Sequence, residues 1–125
     1  MGITIAPDLQ PTIAQAQTIM AYKPLEDEKD PYSLVLYFSE KYKVDLMTAF
    51  KIAECESGWD IYAQNKTSSA FSVFQVIDGT FAHINKISGL GFKRGNIRDE
   101  VEAAIYLMSK EGTRHWNESK SCWNV

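Results

Sequence analysis

The stretch FKIAECESGWDIYAQNKTSSAFSVFQV, from Phe50 to Val76, begins as an apolar helical run and breaks at two glutamates and a Ser-Gly-Trp. A helix C-terminus carries partial negative charge and favours lysine or arginine, so Glu54 and Glu56 stand at the end that suits them least. Either they are solvated decoration, or one of them is kept there for its proton.

The pattern upstream of the break predicts a helix over LMTAFKIAECES, capped by Asp45, with Leu46, Ala49, Phe50 and Ala53 on one face. Gly58 is placed to end it in a left-handed conformation. On this helix Glu56 falls between Ile52 and Ala49 inside the apolar arc, while Glu54 lies near Phe50 and Met47. Periodicity leaves both open. Glu56 is closer to the break, where a side chain can face a cleft while its helix stays in the core. Burial and the negative helix end would both raise its pKa. A glutamate kept protonated near neutral pH is the general acid that glycosidic cleavage requires.

Downstream, DIYAQNKTSSAFSVFQV lacks helical periodicity and is rich in Asn, Ser and Thr. Its AFSVFQV portion alternates apolar and small polar residues, which predicts a loop with short extended pieces. DGTFAHINKI reads as a short helix capped by Asp78, and SGLGFKRGN, with three glycines, as a loop. IRDEVEAAIYLMSKE places Ile97, Val101, Ala104, Ile105 and Met108 on one stripe, with Gly112 ending the helix. The tail TRHWNESKSCWNV is aromatic and polar without periodicity.

Upstream, DPYSLVLYFSEKY opens with Asp30 as N-cap and Pro31 at the first helical position, followed by Leu34, Val35 and Phe38 at helical spacing. Residues 1–29 hold Pro7, Pro11 and Pro24, several Gln and Thr and the acidic run LEDEKD. They read as an arm or tether, with a short helix around TIAQAQTIMAY. The domain proper is expected over residues 30–125. The expected fold is mainly α, with one irregular or β insertion.

Composition excludes several classes. The chain of 125 residues fits one domain, and 45% hydrophobic against 23% charged residues allows a packed core. A net charge of -3 leaves no electrostatic footprint for nucleic acid. No apolar run approaches the roughly 20 residues that span a bilayer, so no transmembrane segment is expected. No signal peptide is visible at the N-terminus. His83 and His115 are isolated, so no metal site and no cofactor is expected. Cys55 and Cys122 admit two readings, a pair of buried thiols or one disulfide.

ESGWD followed by SSAFSVFQVIDGTF resembles the soluble lytic transglycosylase family and its lysozyme-like relatives. In that family a Glu-Ser pair ends a buried helix, and a loop leads to an Ala-x-Gly-Leu-Met/Phe-Gln stretch and a Pro-x-Thr turn. Here Glu56-Ser57, Ala70 to Gln75 and Thr80 stand in that order, and EVEAAIYL, with Tyr106 and Leu107, is similar to the third family motif. The ending HWNESKSCW resembles that of small bacterial and phage members.

The resemblance covers about residues 32–123. It implies a lysozyme-like domain whose insertion sits beside the active-site cleft, and an enzyme acting on peptidoglycan glycan strands outside the cytoplasm. Glu56 would be the single acid/base. It would protonate the oxygen between N-acetylmuramic acid and N-acetylglucosamine, then take the proton of the muramic C6 hydroxyl as that oxygen closes on C1. Gln75, Tyr106, Phe74, Asn65 and Ser72 match positions at or near the sugar subsites, with Ser72 standing where the family keeps glycine. Ser57 and Trp59 would be structural. A Cys55–Cys122 bridge is implied by the cysteine that accompanies this tail in relatives, and closing so long a loop is worth about 4 kcal/mol. Two alternatives stay open. One is hydrolysis of the same bond with a second carboxylate, for which Asp60 and Asp78 are the candidates. The other is a non-catalytic glycan-binding or structural module on the same fold.

Overall fold

The computed structural model describes residues 23–125. The expected helix around TIAQAQTIMAY and most of the expected arm lie outside the described residues. Five α-helices follow in order among the described residues: α1 (Pro31–Tyr42), α2 (Leu46–Ser57), α3 (Asp78–Ser88), α4 (Ile97–Glu111) and the short α5 (Lys120–Trp123). A 3-10 segment, Arg114–Ser119, joins α4 to α5.

Each helix begins and ends for local reasons. Asp30 accepts a hydrogen bond from the Tyr32 N–H at the start of α1, with Pro31 in the first turn. Asp45 accepts from the Thr48 N–H and hydroxyl at the start of α2. Asn96 accepts from the Asp99 N–H at the start of α4. Gly58 ends α2 at φ 60, ψ 31, with its N–H on the Glu54 carbonyl.

Helix α3 departs from the sequence reading. Its cap position is Ile77, and Asp78 is the first helical residue. The orphaned Asp78 N–H is met from outside the helix, by the Ser69 hydroxyl at 2.7 Å. The Asp78 carboxylate accepts from Arg94 Nε instead of capping. An oxygen supplied by a loop nine residues upstream leaves no cap signature in the local sequence.

Helix α4 is the centre of the core. Ile97, Val101, Ala103, Ala104, Ile105, Leu107 and Met108 are buried on it, and α1 packs along it through Leu34, Val35 and Phe38. It is covered on nearly every side, and it buries two glutamates. Glu102 accepts from the Tyr42 hydroxyl and Lys41 Nζ. Glu100 accepts from Arg94 and from the Gly95 N–H. Buried carboxylates persist only when they are paired in this way.

The insertion between α2 and α3 contains little extended structure. Phe71 makes single antiparallel bridges to Gln64 and Val76, and residues 72–75 form a tight turn between them. The apolar alternation of AFSVFQV therefore feeds a turn folded into the core: Val73 and Phe74 are buried. Arg94 ties this insertion to the helices. Besides Asp78 and Glu100 it donates to the carbonyls of Ser69 and Val76, and its guanidinium stacks 4.9 Å from the Phe81 ring centroid.

The tail is ordered by side chains rather than periodicity. Trp116 is buried and donates its indole N–H to the Phe74 carbonyl; buried Trp123 donates to the Trp116 carbonyl. Cys55 and Cys122 form a disulfide that fastens the tail to the end of α2. Among the described residues, no helix is long and apolar enough to cross a membrane.

Candidate active site

A cleft of about 430 Å³ opens between the end of α2, the insertion and the tail. Glu56 lines it from the end of α2. Asn65, Ser68, Ala70, Gln75, Val76 and Ile77 line the insertion side, with Thr80 from the start of α3. His115, Trp116, Glu118 and Ser119 line the tail side.

Glu56 reaches this cleft because Gly58 stops α2 two residues later. Ser57 fixes the junction: its hydroxyl lies 2.8 Å from the Val73 carbonyl and 3.2 Å from that of Ala53. Trp59, at φ 68, packs against Tyr32 and Phe50 with ring centroids 4.4 and 5.0 Å away. It braces the turn from the side of α1. Glu54, by contrast, is exposed.

Glu56 is half-buried, and its Oε2 accepts a hydrogen bond from the Ser119 hydroxyl at 2.5 Å. Burial pushes its carboxyl above the ordinary glutamate range, the Ser119 hydrogen bond pulls it back, and the charge of Glu118 pushes it up again. The net shift is upward.

The insertion presents polar groups to the cleft. The Gln75 amide spends both N–H bonds on the loop, one to the Ala63 carbonyl at 3.0 Å and one to that of Ser72 at 2.8 Å. Its carbonyl oxygen is what remains to meet a ligand. Asn65 does the reverse: its amide oxygen accepts from the Thr67 N–H and hydroxyl, leaving the NH2 as its available group.

Three of the expected sugar contacts are placed elsewhere. Ser72 is fully buried and Phe74 is 1% exposed, so both stand behind the cleft wall. Ser72 adopts φ 69, the backbone conformation a glycine takes without cost, and its hydroxyl donates to the Ile61 carbonyl at 2.8 Å. The serine therefore serves the turn. Tyr106 packs edge-to-face on Tyr42 at 5.5 Å and is not among the cleft-lining residues. Asp60 and Asp78 are exposed and do not line the cleft either; Asp60 accepts from the Tyr62 N–H and Asp78 is tied to Arg94.

The tail supplies what the sequence did not single out. Ser119 and Glu118 come from a segment without periodicity, and only the resemblance of the HWNESKSCW ending and the Cys55–Cys122 pairing hint at them. Cys55 precedes Glu56, and Ser119 lies one helical turn before Cys122, so bridging the cysteines brings Ser119 to Glu56. His115, read from sequence as isolated, shares Glu111 with His83: the imidazoles sit 2.8 and 2.7 Å from its two oxygens, with Arg114 alongside. Those hydrogen bonds, His83 first, hold the Glu111 carboxyl down at about 2. Among the described residues, no group of three or more His, Cys, Asp or Glu side chains converges to hold a metal ion.

A half-buried carboxyl with a raised pKa, lining a cleft open to solvent, can deliver a proton to a bound chain and take one back. No curated protein and no solved structure matches the chain. The model of one protein family, described as the transglycosylase SLT domain, matches residues 33–119, a span that runs from the start of α1 to Ser119. The chain belongs to the transglycosylase SLT domain family, whose action is of the transglycosylase type on peptidoglycan.

Proposed function

We propose that the protein is a lytic transglycosylase that cuts the β-1,4 bond between N-acetylmuramic acid and N-acetylglucosamine, with Glu56 as its single acid/base. The observation that carries this reading is the state of Glu56: half-buried, lining the cleft, with a pKa raised by burial. Protonated Glu56 donates to the glycosidic oxygen, and the bond to the muramic C1 breaks with oxocarbenium character. The resulting carboxylate takes the proton from the C6 hydroxyl, and O6 bonds to C1. The product ends in 1,6-anhydromuramic acid, and Glu56 is again protonated. One carboxylate suffices because the nucleophile belongs to the substrate. Asn65 and Gln75 are the proposed sugar contacts on the insertion side. The substrate puts the site of action outside the cytoplasm.

Glu118 favours a second reading. It is a carboxylate on the cleft wall, and an inverting hydrolase holds a second carboxylate about 6.5–9.5 Å from the acid to activate water. Digestion of purified peptidoglycan, followed by mass measurement of the muropeptides, separates the two. Anhydro ends support transglycosylation, and new reducing ends that disappear in Glu118→Gln support hydrolysis. If glycan binds and wild type releases no more fragments than Glu56→Gln, both catalytic readings fall and a binding module remains.

A further inference from the structure

The hydrogen bond between Ser119 and Glu56 makes the two oxygens of one carboxyl unequal. Oε2 accepts from the Ser119 hydroxyl, whereas Oε1 has no hydrogen-bond partner among the described residues. Ser119 has one hydrogen to give and a second acceptor in reach, the Trp116 carbonyl at 3.2 Å. That carbonyl already accepts the Trp123 indole N–H at 3.1 Å. The Oε2 contact is much the shorter of the two, and a carboxylate oxygen is the stronger acceptor once Glu56 is ionised, so the hydroxyl hydrogen is directed at Oε2.

We propose that Ser119 is a positioning residue for Glu56, which keeps Oε2 as a standing acceptor so that the transferable proton is carried on Oε1. This rests on Glu56 being the acid/base. A carboxylic acid whose one oxygen accepts from a fixed donor keeps its own hydrogen on the other oxygen. The acid is thereby held in one rotamer, with the loaded oxygen presented to the glycosidic bond. After transfer, the same hydrogen bond stabilises the carboxylate, and Oε1 is the atom that takes the C6 hydroxyl proton. The proton leaves and returns through one oxygen while the other never changes partner.

The position of Ser119 is itself enforced. Trp116, three residues before it, is buried against the Phe74 carbonyl, and Cys122, three residues after it, is bonded to Cys55. A hydroxyl held between two such anchors has little freedom to leave Glu56.

The test is the titration of Glu56 itself, followed by NMR of the side-chain carboxyl carbon in protein labelled with 13C-glutamate and assigned with Glu56→Gln. Ser119→Ala removes a donor that favours the ionised form, so the Glu56 midpoint moves to higher pH. Ser119→Thr restores it, and Ser119→Cys, a weak donor of similar shape, falls between. In peptidoglycan digestion, Ser119→Ala lowers kcat by about tenfold or more with KM little changed, and moves the alkaline limb of the pH profile upward. A Glu56 midpoint identical in wild type, Ser119→Ala and Ser119→Cys overturns the proposal. A midpoint that shifts as described, in a protein whose wild type releases no muropeptides, overturns the catalytic reading and leaves the positioning intact.

Discussion

The Ser72 hydroxyl donates to the Ile61 carbonyl at 2.8 Å while the Ser72 backbone stands at φ 69. One residue thus carries a conformational cost and a compensating bond. Left-handed backbone costs a non-glycine residue about 1 kcal/mol, close to the net worth of one buried hydrogen bond. A serine here holds the Ala70-to-Gln75 turn in a backbone conformation that glycine adopts freely.

Ser72 variants therefore separate the two contributions. Ser72→Ala retains the strain and strands the Ile61 carbonyl, and is expected to lose about 1–3 kcal/mol. Ser72→Gly relieves the strain while losing the bond, and is expected within about 1 kcal/mol of wild type. Urea denaturation of the three proteins measures both. Equal losses in the two variants would show that the φ of 69 carries no cost.

Glu56 should oppose stability at neutral pH. Its folded pKa is raised, so the folded chain holds a proton that the unfolded chain gives up above the ordinary carboxylate range, about pH 4.3. Stability falls as pH rises through that window. Glu56→Gln removes the titration, so its Tm is expected to exceed that of wild type at pH 7 and to match it below about pH 4. Activity is expected to drop by about a hundredfold to ten-thousandfold in the same variant. A Tm difference independent of pH would count against a raised pKa.

Arg94 joins α3, α4 and the insertion through one guanidinium. Its partner Glu100 is 2% exposed, and burial pushes that carboxyl up while the Gly95 N–H and Arg94 pull it down. Arg94→Ala strands this carboxylate and is expected to cost about 3 kcal/mol, the low end for a broken buried pair because Arg94 is 26% exposed. Adding Glu100→Gln should recover part of the loss, since an amide is buried at less cost than an unpaired charge. Additive losses in the double mutant would show that the pair is uncoupled.

The disulfide links stability and site. Replacing Cys55 and Cys122 by serine is expected to cost about 2–5 kcal/mol, read as a lower denaturation midpoint. Ser119 then loses its C-terminal anchor, so activity should fall even at temperatures where the variant is fully folded. Mild reduction of the wild type should reproduce both changes, and full activity in the folded reduced protein would rule out a role for the bridge at the cleft.

The sequence was most legible where chemistry is local. Asp30, Asp45, Gly58 and Gly112 mark helix ends through their own side chains or backbone, and each bounds the helix that periodicity assigns to it. The family resemblance was legible in the order of three motifs. Legibility failed where the partner is remote. The Asp78 N–H is met by Ser69, Arg94 gathers acceptors from three segments, and Ser119 reaches Glu56 across 63 positions. AFSVFQV forms the expected loop with short extended pieces, but that Val73 and Phe74 are buried in the core was not legible in its alternation.

The segment from Arg114 to Cys122 is fastened at both ends, to Glu111 by ion pairing and to Cys55 by a covalent bond, with Trp116 inserted between. Asn117 and Glu118, in the middle, are exposed and belong to none of these fastenings. A panel held only by its edges can be re-lettered without being rehung. Variation at Glu118 would therefore change the charge on the cleft wall, and with it the upward push on the Glu56 carboxyl, while the fastenings on either side stay in place. The tail thus separates the charge it presents to the cleft from the fastenings that hold the Ser119 hydroxyl on Glu56.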